Sequence, residues 1–425
     1  MLERVSLFQS KREFFIFFLA CIFILTYSLL IEFQNYKQLT RFDSNLVSAT
    51  VIKQYTKTKE TKTGKLKTYQ VIKLKSDKGF SFYTTVKKNF PNAIGKKIKL
   101  ELWAGNITFY EYMSRFYAFS KILDVNHDET LKQKLNSHLS SVHVNQDIAN
   151  IYQALYTASP LPKELQSAFS TLGVSHLLAI SGFHLGVLSI LLFFLLQYPY
   201  RFLQDRYFPY RNSKRDLFII VSIALLAYLL FLDSPDSLLR AFAMLIIGFI
   251  LYDRGIKIVS MQTLLLSVML LLALFPRLLF GLGFWLSVSG VFYIFLFLIH
   301  FKYLSKIWQF ILVPFWVYIL MLPFSLAIFS SFSLYHPLSI IWTSLFTIFY
   351  PLSIFLHVIG FGNLLDGVLE GFIRLGNTQI MVPLEFTWLA LHVTLSFLGI
   401  WKKSFIWLLL FYSFSSLIYA IYHVA

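Results

Sequence analysis

The order of apolar and polar residues divides the chain into an opening apolar run, a polar block that alternates, and a long series of apolar runs. The first run, Phe14 to Ile31, approaches the roughly 20 residues that cross a hydrocarbon core. Arg4, Lys11 and Arg12 precede it, and no small-residue cleavage site accompanies it. That pattern predicts an uncleaved anchor with its N-terminus in the cytoplasm.

In the block that follows, Leu46 to Tyr55, Leu66 to Lys75, Phe80 to Val86, Lys96 to Trp103 and Ile107 to Met113 alternate apolar with polar residues. The turn clusters Lys62-Thr63-Gly64, Ser76-Asp77-Lys78-Gly79 and Ala104-Gly105-Asn106 separate them. Period-two segments bounded by turn residues predict strands. Five short strands over roughly seventy residues predict a small barrel of the OB type, on the outer side of the membrane. Beyond it, Ile122, Leu131, Leu135, Leu139, Ile148, Ile151 and Leu155 recur at broadly helical spacing, as in an amphipathic interfacial connector.

Nine apolar runs then follow: Val174 to Gln197, Leu217 to Leu232, Leu238 to Tyr252, Met261 to Phe275, Leu279 to His300, Trp308 to Phe329, Pro337 to Ile359, Val382 to Ile400 and Ser404 to Tyr422. The fold class expected is an α-helical polytopic membrane protein with an inserted small all-β soluble domain. Its predicted parts are an anchor (1–32), an OB-like extracytoplasmic domain (33–115), a helical connector (116–171) and a polytopic membrane domain (172–425). The loop with Arg201, Arg206, Arg211, Lys214 and Arg215 marks a cytoplasmic side. Alternation from it puts Arg254, Lys257, Lys302 and Lys306 inside, but it would put Lys402 and Lys403 outside. The segment from Gly360 to Asn377 is therefore not read as a simple loop, and the side of the C-terminus stays open.

Composition narrows the class further. The 425 residues are 57% hydrophobic and 14% charged, against about 25% charged in soluble domains, which excludes a water-soluble enzyme. The net charge of +17 is concentrated: Glu32 to Arg115 holds 17 Lys or Arg against 6 Asp or Glu. A basic groove with interleaved aromatics is what a small barrel needs to hold single-stranded nucleic acid. Lys57, Lys65, Lys67, Lys73, Lys87 and Lys88, with Tyr69 and Tyr83, are the candidates, although core packing and a solvated face would also use such residues. Cys21 is the single cysteine, so neither an internal disulfide nor a cysteine metal site is available.

Gly173-Val174-Ser175-His176-Leu177-Leu178-Ala179-Ile180-Ser181-Gly182-Phe183-His184-Leu185-Gly186 is unusual for a span, with two histidines, two serines and three glycines. It closely resembles the HLLAISGxH signature of the ComEC competence-protein family. Ser237-Leu238-Leu239-Arg240-Ala241 is similar to that family's S-x-x-R-A element, and Gly283-Phe284-Trp285-Leu286-Ser287 to its later G-x-x-L-S element. The resemblance implies a cytoplasmic-membrane channel that carries one strand of DNA into a bacterial cell during natural transformation, with a DNA receptor and a cytoplasmic motor or DNA-binding protein as separate partners. The chain departs from larger members in ending soon after its last span, without a metallo-β-lactamase-like domain. None of its ten histidines forms an HxHxDH cluster, so no metal or cofactor is expected.

The residue chemistry agrees with a polar path. Polar groups at membrane depth are costly and face a bundle interior or cavity. On a continuous helix His176 and His184 point within roughly 80° of one another and lie about 12 Å apart along the axis, so both would line one water-filled path; hydrogen bonding to neighbouring helices would explain them as well. Gly173, Gly182 and Gly186 permit close contact or unwinding, and a kink near Ser181 is expected. Asp233-Ser234-Pro235-Asp236-Ser237 reads as a helix start with Ser234 as N-cap. Arg240 follows Asp236 by four residues, an ion pair or else a phosphate partner for a guanidinium inside an apolar run. The channel candidates are thus His176, Ser181, Gly182, His184, Asp233, Asp236, Ser237, Arg240 and Ser287. Asp366, Glu370 and Arg374 recur at four-residue intervals, as on an amphipathic surface helix.

No P-loop, GxSxG or HExxH is present, so neither nucleotide-driven transport nor serine or zinc hydrolysis has a recognisable site. The competing readings are a secondary transporter of a small anionic solute and a membrane-embedded hydrolase using His176, Ser181 and His184 with Asp233 or Asp236.

Overall fold

The computed structural model describes the chain apart from residues 1–6, 9, 61–65, 127–129, 179, 377–379 and 425, and apart from the side chains of Lys59, Leu66, Lys67 and Asp236. Two compact units result: Arg12–Ser137 with Met269–Gly281, and Met1–Lys11, His138–Val268 and Leu282–Ala425.

The first unit opens with helix α1 (Lys11–Thr40), whose only buried side chains among those described are Cys21 and Leu39. At 1.5 Å per residue its 30 residues extend about 45 Å, enough to cross a bilayer. Bare Phe15, Phe23 and Leu30 suit lipid contact. The strands follow as β1 (Asn45–Glu60), β2 (Leu66–Ser76), β3 (Ser81–Val86) and β4 (Lys97–Trp103). Alternation works as expected in β4, where Ile98, Leu100 and Leu102 are buried while Lys97 and Lys99 face solvent. The turn expected at Lys62 to Gly64 lies outside the described residues.

The fifth strand differs from expectation. Ile107 to Met113 carries helix α2 (Phe109–Met113), because Thr108 and Glu111 form a capping box: Thr108 N–H donates to Glu111 Oε2 at 2.7 Å and Glu111 N–H to Thr108 Oγ1 at 3.3 Å. The closing strand lies later, as β5 (Phe116–Tyr117) and β6 (Phe119–Val125), interrupted only at buried Ala118. β5 runs parallel to β3 and β6 antiparallel to β4, in the order β5-β3-β2-β1-β4-β6. One stretch of chain therefore pairs with both edges and closes the sheet into a small barrel, lined by Ile72, Leu74, Phe80, Phe82, Ile98, Leu100, Leu102 and Phe116. The β region accordingly extends to Val125, ten residues past the boundary expected at 115. Arg277, in the returning segment Pro276–Phe280, braces this unit through a bidentate pair with Glu32 of α1 at 2.6 and 2.8 Å and lies 4.7 Å over the Tyr112 ring.

The second unit is helical: α3 (Leu131–Val142, which begins in the first unit), α4 (Gln146–Thr157), α5 (Lys163–Thr171), α6 (Ser175–Leu178), α7 (Gly182–Tyr207), α8 (Ser213–Phe231), α9 (Asp236–Asp253), α10 (Met261–Leu274, which ends in the first unit), α11 (Leu282–His300), α12 (Lys306–Phe329), α13 (Ser339–Val358), α14 (Asp366–Leu375), α15 (Phe386–Leu398) and α16 (Lys403–Val424). Each of the nine expected spans has become a helix. The first starts at Gly182 instead of Val174, since the chain breaks between α6 and α7. Among the described residues, six helices are long and apolar enough to cross a membrane: α1, α7, α11, α12, α13 with its preceding turn, and α16. The protein is a multi-pass membrane protein. As expected, Gly360 to Asn377 is no simple loop; it contains α14.

Candidate functional site

At the break between α6 and α7 the first two sequence motifs meet, and the third touches the second. Ser181 is the N-cap of α7, with extended backbone, and its Oγ accepts from Phe183 N–H at 3.3 Å. The carbonyl of Ile180, just before it, is freed from the helical ladder in a position only 3% exposed. Ser237 of α9 satisfies it, its Oγ donating at 2.7 Å. One residue into α7, Gly182 admits α9 so closely that an added Cβ would stand 3.2 Å from the Ala241 Cβ. Arg240, 7% exposed, extends toward α11: its guanidinium lies 5.8 Å from the Phe284 ring centre and 3.6 Å from where a Cβ on Gly283 would be. Each motif therefore touches another through a small or polar residue that only close backbone approach can use.

His184 takes a role that helical spacing did not reveal. It stands third in the cap of α7, and Ser181 N–H donates to its Nδ1 at 3.3 Å. That bond leaves Nε2 as the protonated nitrogen. Nε2 is buried without a hydrogen bond, although the Leu177 carbonyl of α6 acts on the ring. Phe346 and Tyr350 of α13 close over the ring at 5.3 and 4.8 Å. The continuous helix assumed for His176 and His184 is thus replaced by a broken one, and the two rings part company: His184 is fully enclosed among aromatics, whereas His176 is solvent-exposed between buried Val174 and Leu177. Gly173 itself has φ +71° and lies against the His336 ring, so a side chain there would collide.

The remaining channel candidates are more dispersed. Asp233 and Ser234 both adopt positive φ, 61° and 50°. Their amides donate to Leu230 and Leu229, closing the end of α8, so Ser234 cannot cap α9 as expected; Pro235 occupies that position without a side-chain cap. Asp233 is exposed, the Asp236 side chain lies outside the described residues, and Ser287 is exposed on α11. The Ser181 Oγ stands 3.3 Å from His184 Nδ1 as part of the cap, and among the described residues the ring's other nitrogen has no hydrogen-bond partner.

In the barrel, strand register decides which basic and aromatic side chains share a face. Directly paired residues point the same way, and alternate residues along a strand do too. Lys57 pairs with Tyr69, Lys53 with Lys73, Lys73 with Tyr83, and Tyr83 with Tyr117. Tyr55 belongs to the same face, and its hydroxyl is held above its usual range by partial burial and by Tyr83, Tyr69 and Tyr117. Four tyrosines and at least three lysines are thus gathered on the outside of β1, β2, β3 and β5. Lys87 and Lys88 are exposed in the turn after β3, Lys65 lies outside the described residues, and so does the side chain of Lys67. Tyr117 was missed in the sequence, whereas Tyr55 is among the aromatics interleaved with the lysines there. Tyr55 is findable from the odd-numbered register it shares with Lys53 and Lys57, whereas Tyr117 lies on a strand that alternation placed elsewhere.

These features define a polytopic membrane protein built around a braced helix break, with a small basic barrel in its first unit. Residues 157–424 match the family described as Competence protein, and the chain belongs to that family, as a ComEC-like competence protein. Neither the curated proteins nor the solved structures offer a match to the chain.

Proposed function

We propose that the protein is a conduit that moves single-stranded DNA across the bacterial cytoplasmic membrane during natural transformation, and that it performs no covalent chemistry itself. The observation that carries this reading is the linkage of the three family motifs beside one helix break, through Ser237 on the Ile180 carbonyl and Ala241 on Gly182 at the break, and Arg240 on Gly283 beyond it. Broken helices at membrane depth are tolerated where they are buried in protein or line a water-filled cavity, and a guanidinium beside them suits phosphate oxygens. His176, exposed on the α6 side of the break, would meet the strand; His184 would hold the break's shape.

The closed barrel is proposed to be OB-like and to capture the strand on the outer side. Base stacking on tyrosine contributes about 1–3 kcal/mol per base without regard to sequence, and Lys53, Lys57 and Lys73 stand between the rings to meet phosphates. A separate DNA receptor and a cytoplasmic motor would complete the pathway.

Labelled DNA followed into cells tests the proposal. Cells lacking the protein, or carrying Arg240→Gln at normal abundance, should admit no DNA to the cytoplasm. The full-length protein in lipid discs should bind oligonucleotides with an affinity that falls with salt by a log–log slope of about −0.7 per phosphate contact, and Lys57→Ala with Lys73→Ala should flatten it. Undiminished DNA entry with Arg240→Gln, or salt-independent binding, would overturn it.

A further inference from the structure

Away from the motif helices, the corner between α3 and α4 holds a chain of titratable groups whose hydrogen bonds contain more protons than neutral side chains supply. His143 sits in that corner with its side chain fully enclosed. Its Nδ1 stands 3.0 Å from both carboxylate oxygens of Asp366 in α14, and its Nε2 stands 3.1 Å from Nε2 of His357 in α13. On the far side of that ring, His357 Nδ1 is 2.7 Å from the Ser353 carbonyl.

Each of these three contacts needs a hydrogen. A carboxylate and a carbonyl only accept, and two bare imidazole nitrogens facing one another repel. With Asp366 as the carboxylate, three ring protons are therefore required, while two neutral imidazoles carry one each. The Tyr156 hydroxyl, 3.2 Å from His357 Nδ1, does not change the count: it donates to Ser353 Oγ at 2.9 Å, and Ser353 Oγ donates in turn to the Tyr350 carbonyl at 2.8 Å.

We propose that His143, His357 and Asp366 form a buried site that binds one proton, shared between the facing ring nitrogens and balanced by the Asp366 carboxylate, and that its occupancy clamps the α3–α4 corner onto α13 and α14. A separation of 3.1 Å suits an N–H···N bond. A zinc ion would sit about 2.0–2.1 Å from each nitrogen and need further donors, and no group of three or more His, Cys, Asp or Glu among the described residues is placed to hold a metal.

The surroundings make the proton consequential. From α4 the Tyr152 ring stacks on His143 at 4.5 Å, and it packs edge-on to His357 at 4.6 Å, so His143 is enclosed while His357 and Asp366 stay half-buried. From α3, His138 is near enough to act on the charge of His357. Glu370, the other α14 carboxylate on this side, is taken by Asn145 Nδ2 at 3.1 Å, and Asn145 Oδ1 also caps α4. When the proton leaves, two acceptors meet at the enclosed His143 ring. The disturbance has a route to the helix break: Tyr228 donates to the Tyr156 carbonyl at 3.2 Å and shares a hydrogen bond with Tyr350, whose ring lies against His184.

Nitrogen-15 NMR of the full-length, histidine-labelled protein in lipid discs tests this, in chelator-treated buffer. The expected spectrum has three N–H protons on the His143 and His357 rings and a coupling between the facing nitrogens across their hydrogen bond, with both signals absent from His357→Gln. Protection factors of the amides at residues 140–147 should fall at least tenfold as rising pH removes the third proton, and Asp366→Asn should show that lower protection already at the pH where the unaltered site holds it. Two ring protons without the coupling, or protection factors unaffected by pH, would overturn the site; so would signals that appear only when zinc is added. Because the coupling is read in the unaltered protein, the test stands even where a variant fails to fold.

Discussion

Replacing Ser237 by alanine is the sharpest probe of the helix break. The substitution removes one oxygen and leaves almost no cavity, so its effect isolates a single hydrogen bond, the 2.7 Å donation to the Ile180 carbonyl. Ile180 is 3% exposed, and water has little access to its carbonyl as a substitute. A buried acceptor left unmatched costs about 1–3 kcal/mol. Local opening of the α6–α7 break should then rise by about 5- to 150-fold relative to the unaltered protein. Hydrogen exchange at the amides of Phe183 to Leu185 reads that opening directly, and DNA entry into cells at matched protein abundance reads its consequence. Ser237→Thr keeps the hydroxyl and should restore most of both. If Ser237→Ala changed neither the exchange nor DNA entry, or if threonine behaved like alanine, the bond would not be what holds the break, and the linkage of the motifs would lose its physical basis.

Three further outcomes are expected. Gly182→Ala places a methyl 3.2 Å from the Ala241 Cβ, so it should reduce DNA entry, and adding Ala241→Gly should recover it; the absence of recovery would argue against close α7–α9 contact. Glu32→Gln or Arg277→Met alone should destabilise the first unit by about 2–4 kcal/mol, somewhat below the 3–5 typical of fully buried pairs, because each side chain keeps about a fifth of its surface exposed; the double variant should cost clearly less than the two losses added, measured by denaturant unfolding in micelles. Glu111, held below the ordinary carboxylate range by the backbone and hydroxyl of Thr108, supports α2 above that range and loses the effect as pH falls through its folded value. Protection factors in residues 109–113 should therefore fall on acidification, and Glu111→Gln should remove that pH dependence; an equal response in the variant would assign it to another group.

The spans were legible because the membrane demands an unbroken apolar length and a helix supplies all its own backbone bonds; each expected run became a helix, although the first, expected from Val174 to Gln197, runs from Gly182 to Tyr207. The barrel was legible through alternation, but its last strand was not. Period two in Ile107 to Met113 lost to a local capping box, since two hydrogen bonds made within four residues need no distant partner. Helix α14 was foreseen as an amphipathic surface element, yet the partners of its acids were not: Asp366 and Glu370 meet His143 and Asn145, more than two hundred residues earlier.

Local interactions, namely apolar length, alternation and the family motifs, are written along the chain and gave the membrane class, the basic barrel and the residues of interest. Which of those residues touch depends on packing between elements far apart in sequence. Only folding could close Phe346 and Tyr350 over His184, lay Ser237 on the Ile180 carbonyl and bring His143 against His357, because each contact joins groups whose approach is set by helix crossings and not by spacing.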